Sequence, residues 1–108
     1  MFEVTIEDVR YKVFFKHIRG QETITLFSRN RKRSIKGKTM CIVKSRFSDR
    51  PQDDFVYLGS AYAFCSIKDD FNKNIGRRVS LDYFLQKYIA KDKRKPFWDK
   101  YREVNNGW

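Results

Sequence analysis

Apolar and polar residues alternate along the first 65 residues with a period close to two, the spacing that sends successive side chains to opposite faces of a strand. Phe2, Val4 and Ile6 alternate with Glu3 and Thr5, and Glu7-Asp8 supplies a tight turn. RYKVFFKHI (10–18) is β-branched and aromatic, with Lys and Arg at alternate places, and Arg19-Gly20 closes it. ETITLF (22–27) alternates again, and KTMCIVKSRF (38–47) predicts a fourth strand. SDRPQDD (48–54) has turn chemistry, because Pro51 fixes φ and the Asp and Ser side chains bond locally. FVYLGSAYAFC (55–65) is the last strand. Its Tyr57, Gly59, Ala61, Ala63 and Cys65 point one way, and Leu58, Ser60, Tyr62 and Phe64 the other. From Gly59 onward the first set is small, which offers a helix a close approach.

The period changes after Cys65. Ser66-Ile67-Lys68-Asp69 has the spacing of a capping box, with Asp in place of Glu or Gln, and Asp69 and Asp70 favour the positive end of a helix dipole. A helix is predicted from there to about Ala90. Phe71, Ile75, Leu85 and Ile89 share one side of it, and Val79, Leu81, Phe84 and Tyr88 widen the apolar arc. Asn72, Lys73, Ser80 and Lys87 take the opposite side. Gly76, mid-helix, costs about 1 kcal/mol relative to Ala, so close packing or close backbone approach is expected there. KDKRK (91–95) reads as a charged linker. Pro96 opens a short helix whose Phe97, Trp98 and Tyr101 are candidates to dock on the core, and NNGW is a frayed tail. The expectation is one α+β domain over 1–108. An antiparallel sheet of four to five strands (1–65) is covered on one face by a long helix (66–90), with a short C-terminal helix (96–104).

Ten Phe, six Tyr and two Trp place the chain among folding sequences rather than disordered ones. A net charge of +11 changes the picture more, because it suits an anionic partner: nucleic acid, an anionic membrane or an acidic protein surface. A membrane is the weakest of these, since no helix joins a clean basic face to an exposed apolar one. The two cysteines make no disulfide framework, the N-terminus is no signal peptide, and no apolar run approaches the roughly 18 residues of a membrane span. A soluble cytoplasmic protein with reduced thiols is expected. An exposed sheet edge would support a dimer.

No catalytic constellation stands out. His17 is the single histidine, on a strand with Val13 and Phe15 and with no nucleophile or second acid assigned to it. Cys41 and Cys65 lack C-x-x-C spacing and read as small buried side chains. Asp69-Asp70 is explained by capping, and no phosphate-binding glycine loop is present. The expectation is a non-enzymatic protein without cofactor or metal.

The binding evidence is stronger. RNRKRSIKGK (29–38) carries six positive charges and no negative one. Arg29, Arg31, Lys32, Arg33, Lys36, Lys38, Lys44 and Arg46 form a segment without an acid, and Lys93, Arg94 and Lys95 lie in a second basic cluster. With Arg77 and Arg78 they are the candidate contacts to nucleic acid or another anionic partner, because phosphate neutralisation needs several cations on one surface. The plain alternative for 29–38 is a solvated loop between strands. Tyr11, Phe14, Phe15, Tyr62 and Phe64 would stack on bases if a sheet face is open, and form core otherwise.

AYAFCSIKDDFNKNIGRRVSLDYFL (61–85) resembles a pattern in small bacteriophage proteins, in which a strand ending A-x-C is followed by S-P-K-D-x-F, I-G-R and an apolar helix. Ala61 or Ala63, Cys65, Ser66, Lys68, Asp69, Phe71, Ile75, Gly76, Arg77, Leu81 and Leu85 match it, and Ile67 departs from it. KTMCIV and the aromatic segment Phe97-Trp98-Asp99-Lys100-Tyr101 extend the likeness over residues 29–101. The resemblance implies a phage accessory protein acting in the host cytoplasm. Such proteins bind nucleic acid, or disable a host nucleoprotein machine by occlusion as anti-CRISPR inhibitors do.

Overall fold

The computed structural model describes residues 1–26, 31–66 and 72–105; the side chains of 22–26, 31–33 and 66 lie outside that description. Four strands form one antiparallel sheet in the order β1-β2-β3-β4: β1 (Phe2–Ile6), β2 (Val9–Leu26), β3 (Arg31–Phe47) and β4 (Val56–Ser66). Helix α1 (Lys73–Tyr88) follows, then a 3₁₀ turn (Lys91–Lys93) and helix α2 (Lys95–Val104). Each strand pairs with its neighbour in sequence, so the connections cross nothing. Glu7, at φ 54, makes the β1–β2 turn with Asp8, and the Ser48 amide donates to the Asp8 carbonyl at 2.7 Å.

The strands are longer than the alternation predicts. Residues 10–18 and 22–26 belong to one strand, because Arg19-Gly20 makes a bulge and not a turn. Arg19 pairs with Gly37 and Glu22 with Ile35, so two residues of β2 stand opposite Lys36. Gly20 takes φ 149 there without steric cost. From Arg31 to Lys38 the basic stretch is strand, paired with β2, rather than loop; Arg29 and Asn30 lie outside the described residues. Charged residues fit a strand that exposes one face, which run-of-charge reasoning overlooks. Pairing of Thr23 with Ser34 through Leu26 with Arg31 continues past the ends of β1 and β4.

Register sorts the sheet into two unlike faces. One carries Phe2, Val4, Val13, Cys41, Val43 and Ala61, all buried in a cluster with Leu81, Phe84, Leu85, Ile89, Phe97 and Tyr101 of the helical layer. Helix α1 lies over β3 and β4 and α2 over β1. Tyr101 meets Phe2 and Phe15 edge-on, each at 6.2 Å, and Phe97 meets Tyr11 at 5.2 Å. The predicted docking of Phe97, Trp98 and Tyr101 and the α+β architecture are both present.

Helix α1 begins later and is rotated from its predicted setting. Ser66 is the last residue of β4, paired with Ile35, and so is no N-cap. Asn72 is extended, and its Oδ1 accepts from the Ile75 amide at 3.1 Å. Asp69 and Asp70 lie outside the described residues. Ser80, assigned to the solvent side, is fully buried, whereas Ile75 is 50% exposed. Close approach to the sheet explains the rotation. Gly76 rests on the Thr39 side chain with no room for a Cβ, Ser80 returns its hydroxyl to the Arg77 carbonyl at 3.2 Å, and the Tyr88 ring lies on Gly59. Small residues face the sheet, and the apolar arc turns to accommodate them. At the far end Arg94 Nε donates to the Ile89 carbonyl at 2.8 Å, so this cation closes α1.

Gly76→Ala should therefore destabilise the fold although Ala is the better helix former by about 1 kcal/mol. Overpacking against a buried β3 side chain costs about 1–3 kcal/mol and outweighs that gain. Gly59→Ala meets a ring that can swing toward solvent, and should cost less. Urea midpoints of the two variants, ordered wild type, then Gly59→Ala, then Gly76→Ala, check this; a Gly76→Ala protein as stable as wild type would refute the packing account.

Candidate functional site

The second sheet face bears no helix among the described residues. Cross-strand pairing places Arg10, Lys12, Phe14, Lys16 and Ile18 of β2 beside Lys38, Met40, Ile42, Lys44 and Arg46 of β3. Ser60, Tyr62 and Phe64 of β4 continue the same surface. No described acid stands among these positions of β2, β3 and β4; Glu3, on the β1 edge, pairs with Arg10 at 3.2 Å.

Aromatic rings and cations interleave here. Tyr62 and Phe64 are 40% and 39% exposed, with centroids 6.0 Å apart and planes within 7°. Lys38 Nζ lies 5.7 Å from the Tyr62 ring, and Lys12 and Lys44 flank Phe14 at 5.8 and 5.7 Å. Such cation–π contacts at an exposed site are each worth about 0.5–1 kcal/mol. They hold the ammonium groups over the face and are weak enough for a stronger anion to displace.

At one end of the face Phe55 receives Lys12 at 4.9 Å and Arg46 at 4.5 Å. Arg46 also donates to the Pro51 and Asp53 carbonyls at 3.1 and 3.3 Å, which fastens the 48–54 loop. A cleft of about 590 Å³ beside it is lined by Arg46 and Arg50 but also by Asp53 and Asp54, so its charge is balanced.

Of the residues singled out from sequence, Lys38, Lys44 and Arg46 share this face, and strand alternation puts Lys36 beside Lys38. Arg31, Lys32 and Arg33 are in β3 with undescribed side chains, and Arg29 is not described. Arg77, Arg78, Lys93, Arg94 and Lys95 sit in the helical layer or its linker, away from this face. Lys93 pairs with Glu7 at 3.3 Å, Lys95 with Asp99 at 2.8 Å, and Arg94 caps α1. The two basic clusters of the sequence are thus not brought together. Lys12 and Lys16 were missed as candidates, although the Lys/Arg alternation in 10–18 announced them. The aromatics divide by parity: Tyr11 and Phe15 pack on the core, while Phe14, Tyr62 and Phe64 face out.

His17 lies on the other side of the sheet, half-buried under α1. Its Nδ1 bonds the Thr39 hydroxyl at 2.8 Å, and Arg77 Nη1 lies 3.4 Å from Nε2. Guanidinium only donates, so Nε2 accepts and the proton of the neutral ring sits on Nδ1. Burial, then Arg77, Lys73 and Arg19, lowers the His17 pKa. Burial pushes the Cys41 thiol up to about 12, which leaves it an inert core group. Among the described residues no group of three or more His, Cys, Asp or Glu could hold a metal, and no helix is long and apolar enough to cross a membrane.

Compared with family models, curated proteins and solved structures, the chain has no match.

Because His17 has a lowered pKa when folded, the unfolded chain binds the proton more readily, and stability should fall as pH drops through the ordinary histidine value near 6.5. Urea midpoints at pH 7.5 and 5.0 should differ more in wild type than in His17→Gln. Equal pH dependence in the two proteins would show that His17 is not the group responsible.

Proposed function

We propose that this protein is a non-enzymatic nucleic-acid-binding module that engages its ligand across the bare face of the sheet. The carrying observation is that face itself: Lys12, Lys16, Lys38 and Lys44 spread among exposed rings, with no described acid at the facing positions of β2, β3 and β4. Each cation that neutralises a phosphate releases condensed counterions, so several on one surface give affinity that needs no pocket. Exposed rings serve base contact and sugar packing, which a solvated charged surface would not require. The net charge of +11 adds long-range attraction. The helical layer acts as scaffold: Arg94 closes α1 at the Ile89 carbonyl, and Lys95 pairs with Asp99 on its own helix. The resemblance to small phage proteins is compatible with this accessory role.

Fluorescence anisotropy with labelled oligonucleotides across a salt series tests the reading. With four phosphates neutralised, the slope of log K against log salt should be about −3 for single strands and somewhat steeper for duplex. Substituting Lys12, Lys16 and Lys44 by Gln together should flatten it by about 2. Arg78→Gln and Lys95→Gln, in the helical layer, should leave affinity nearly unchanged. Loss confined to the helical-layer variants would move the site off the sheet face, and absence of binding at low salt would overturn nucleic-acid binding and favour an inhibitor that docks on an acidic protein surface.

A further inference from the structure

The open face is not a uniform mixture of charge and rings. On β3, Lys38, Lys44 and Arg46 form a row of cations. On β4, Tyr62 and Phe64 form a parallel row of aromatics, and Tyr57, expected on the opposite face by alternation, joins them because a bulge at Leu58 shifts the register; Lys38 lies opposite Phe64, Met40 opposite Tyr62 and Lys44 opposite Tyr57. Adjacent strands are about 4.8 Å apart, so the two rows run side by side along the sheet. Resting on the reading that this face binds nucleic acid, we infer that the ligand is single-stranded, its phosphates on the β3 row and its bases on the β4 rings.

Three observations favour a single strand. The rings lie on an open surface at 40% and 39% exposure, accessible to unpaired bases, while duplex bases present only their edges in the grooves. The face is also too wide for a groove. A two-stranded ribbon enters the roughly 12 Å major groove, whereas cations and rings here are spread over β2, β3 and β4 and β1 lies alongside. Finally, the Tyr62 and Phe64 rings are nearly parallel but 6.0 Å apart. That is close to the ordinary i, i+2 spacing of a strand, about 6.6 Å, and it exceeds the ~3.4 Å step of stacked bases, so two adjacent bases reach both rings only when drawn apart, as a single strand allows. Lys38, which rests on the Tyr62 ring, would swing off to a phosphate as a base takes its place. The Tyr57 hydroxyl donates to Ser60 Oγ at 2.9 Å, which holds the third side chain of the row in the same surface.

The test compares three labelled probes of one length: a mixed-sequence single strand, the matching duplex, and a strand of abasic sites with the same phosphates. Wild type should bind the single strand at least tenfold more tightly than the other two. Tyr62→Leu/Phe64→Leu keeps apolar bulk and removes the flat rings; it should lose at least tenfold for the single strand, leave abasic binding unchanged, and keep the salt slope. Circular dichroism and the urea midpoint confirm that the variant is folded, and single Tyr62→Leu and Phe64→Leu proteins replace it if it is not. Equal binding of strand, duplex and abasic probe, or full single-strand affinity without the rings, overturns the single-strand inference while leaving nucleic-acid binding in place. No salt-dependent binding of any probe overturns both.

Discussion

Everything distinctive about this fold depends on how closely α1 can sit on the sheet. Gly76 lies against Thr39 and Gly59 against the Tyr88 ring, with no space for a methyl group at either position. Ala61 and Ala63 keep that surface low. With the helix seated there, Leu81, Phe84 and Leu85 fill the layer above β3 and β4, and α2 covers β1 with Phe97 and Tyr101. Both helices thereby lie on one face of the four-stranded sheet. Aromatic and basic residues on the other face have no helix to meet among the described elements, and the proposed binding surface follows from this one-sided packing.

Much of this was legible in the sequence. Alternation in β1 and in β4 from Gly59 onward, the turn chemistry at 48–54, the small residues of β4 and the Pro96 helix start all act locally, and local signals are strongest where one face is wet and the other dry; the bulge at Leu58, which turns Tyr57 to the open face, is not such a signal. Glycine at position 76 signalled close approach; only the fold identifies its neighbour as Thr39.

What was misread depended on pairing. Gly20 can serve a turn or a bulge, and the choice follows from whether β3 lies alongside, a contact between residues far apart in sequence. Arg31 to Lys38 looks like loop by charge density, yet a strand accepts those residues when its partner supplies the hydrogen bonds. The rotation of α1 was hidden for a similar reason: hydrophobic period identified the arc, but Gly76 and Ser80, counted as weak or polar positions, mark where helix and sheet come nearest. For the candidate site, shared positive charge overstated the link between residues 29–46 and 93–95, which the fold places on different layers. Strand parity, applied to 10–18 as well, would have gathered Lys12 and Lys16 with Lys38 and Lys44.

The central claim is that the bare sheet face, not the helical layer, meets the ligand. Backbone amide shifts of ¹⁵N-labelled protein, followed while a short single-stranded oligonucleotide is added, test it most directly. The account predicts progressive shifts centred on Phe14, Lys38, Lys44, Tyr62 and Phe64, with Leu81, Lys95 and Arg102 nearly still. Shifts concentrated on α1 and α2, with the sheet residues unmoved, would contradict it.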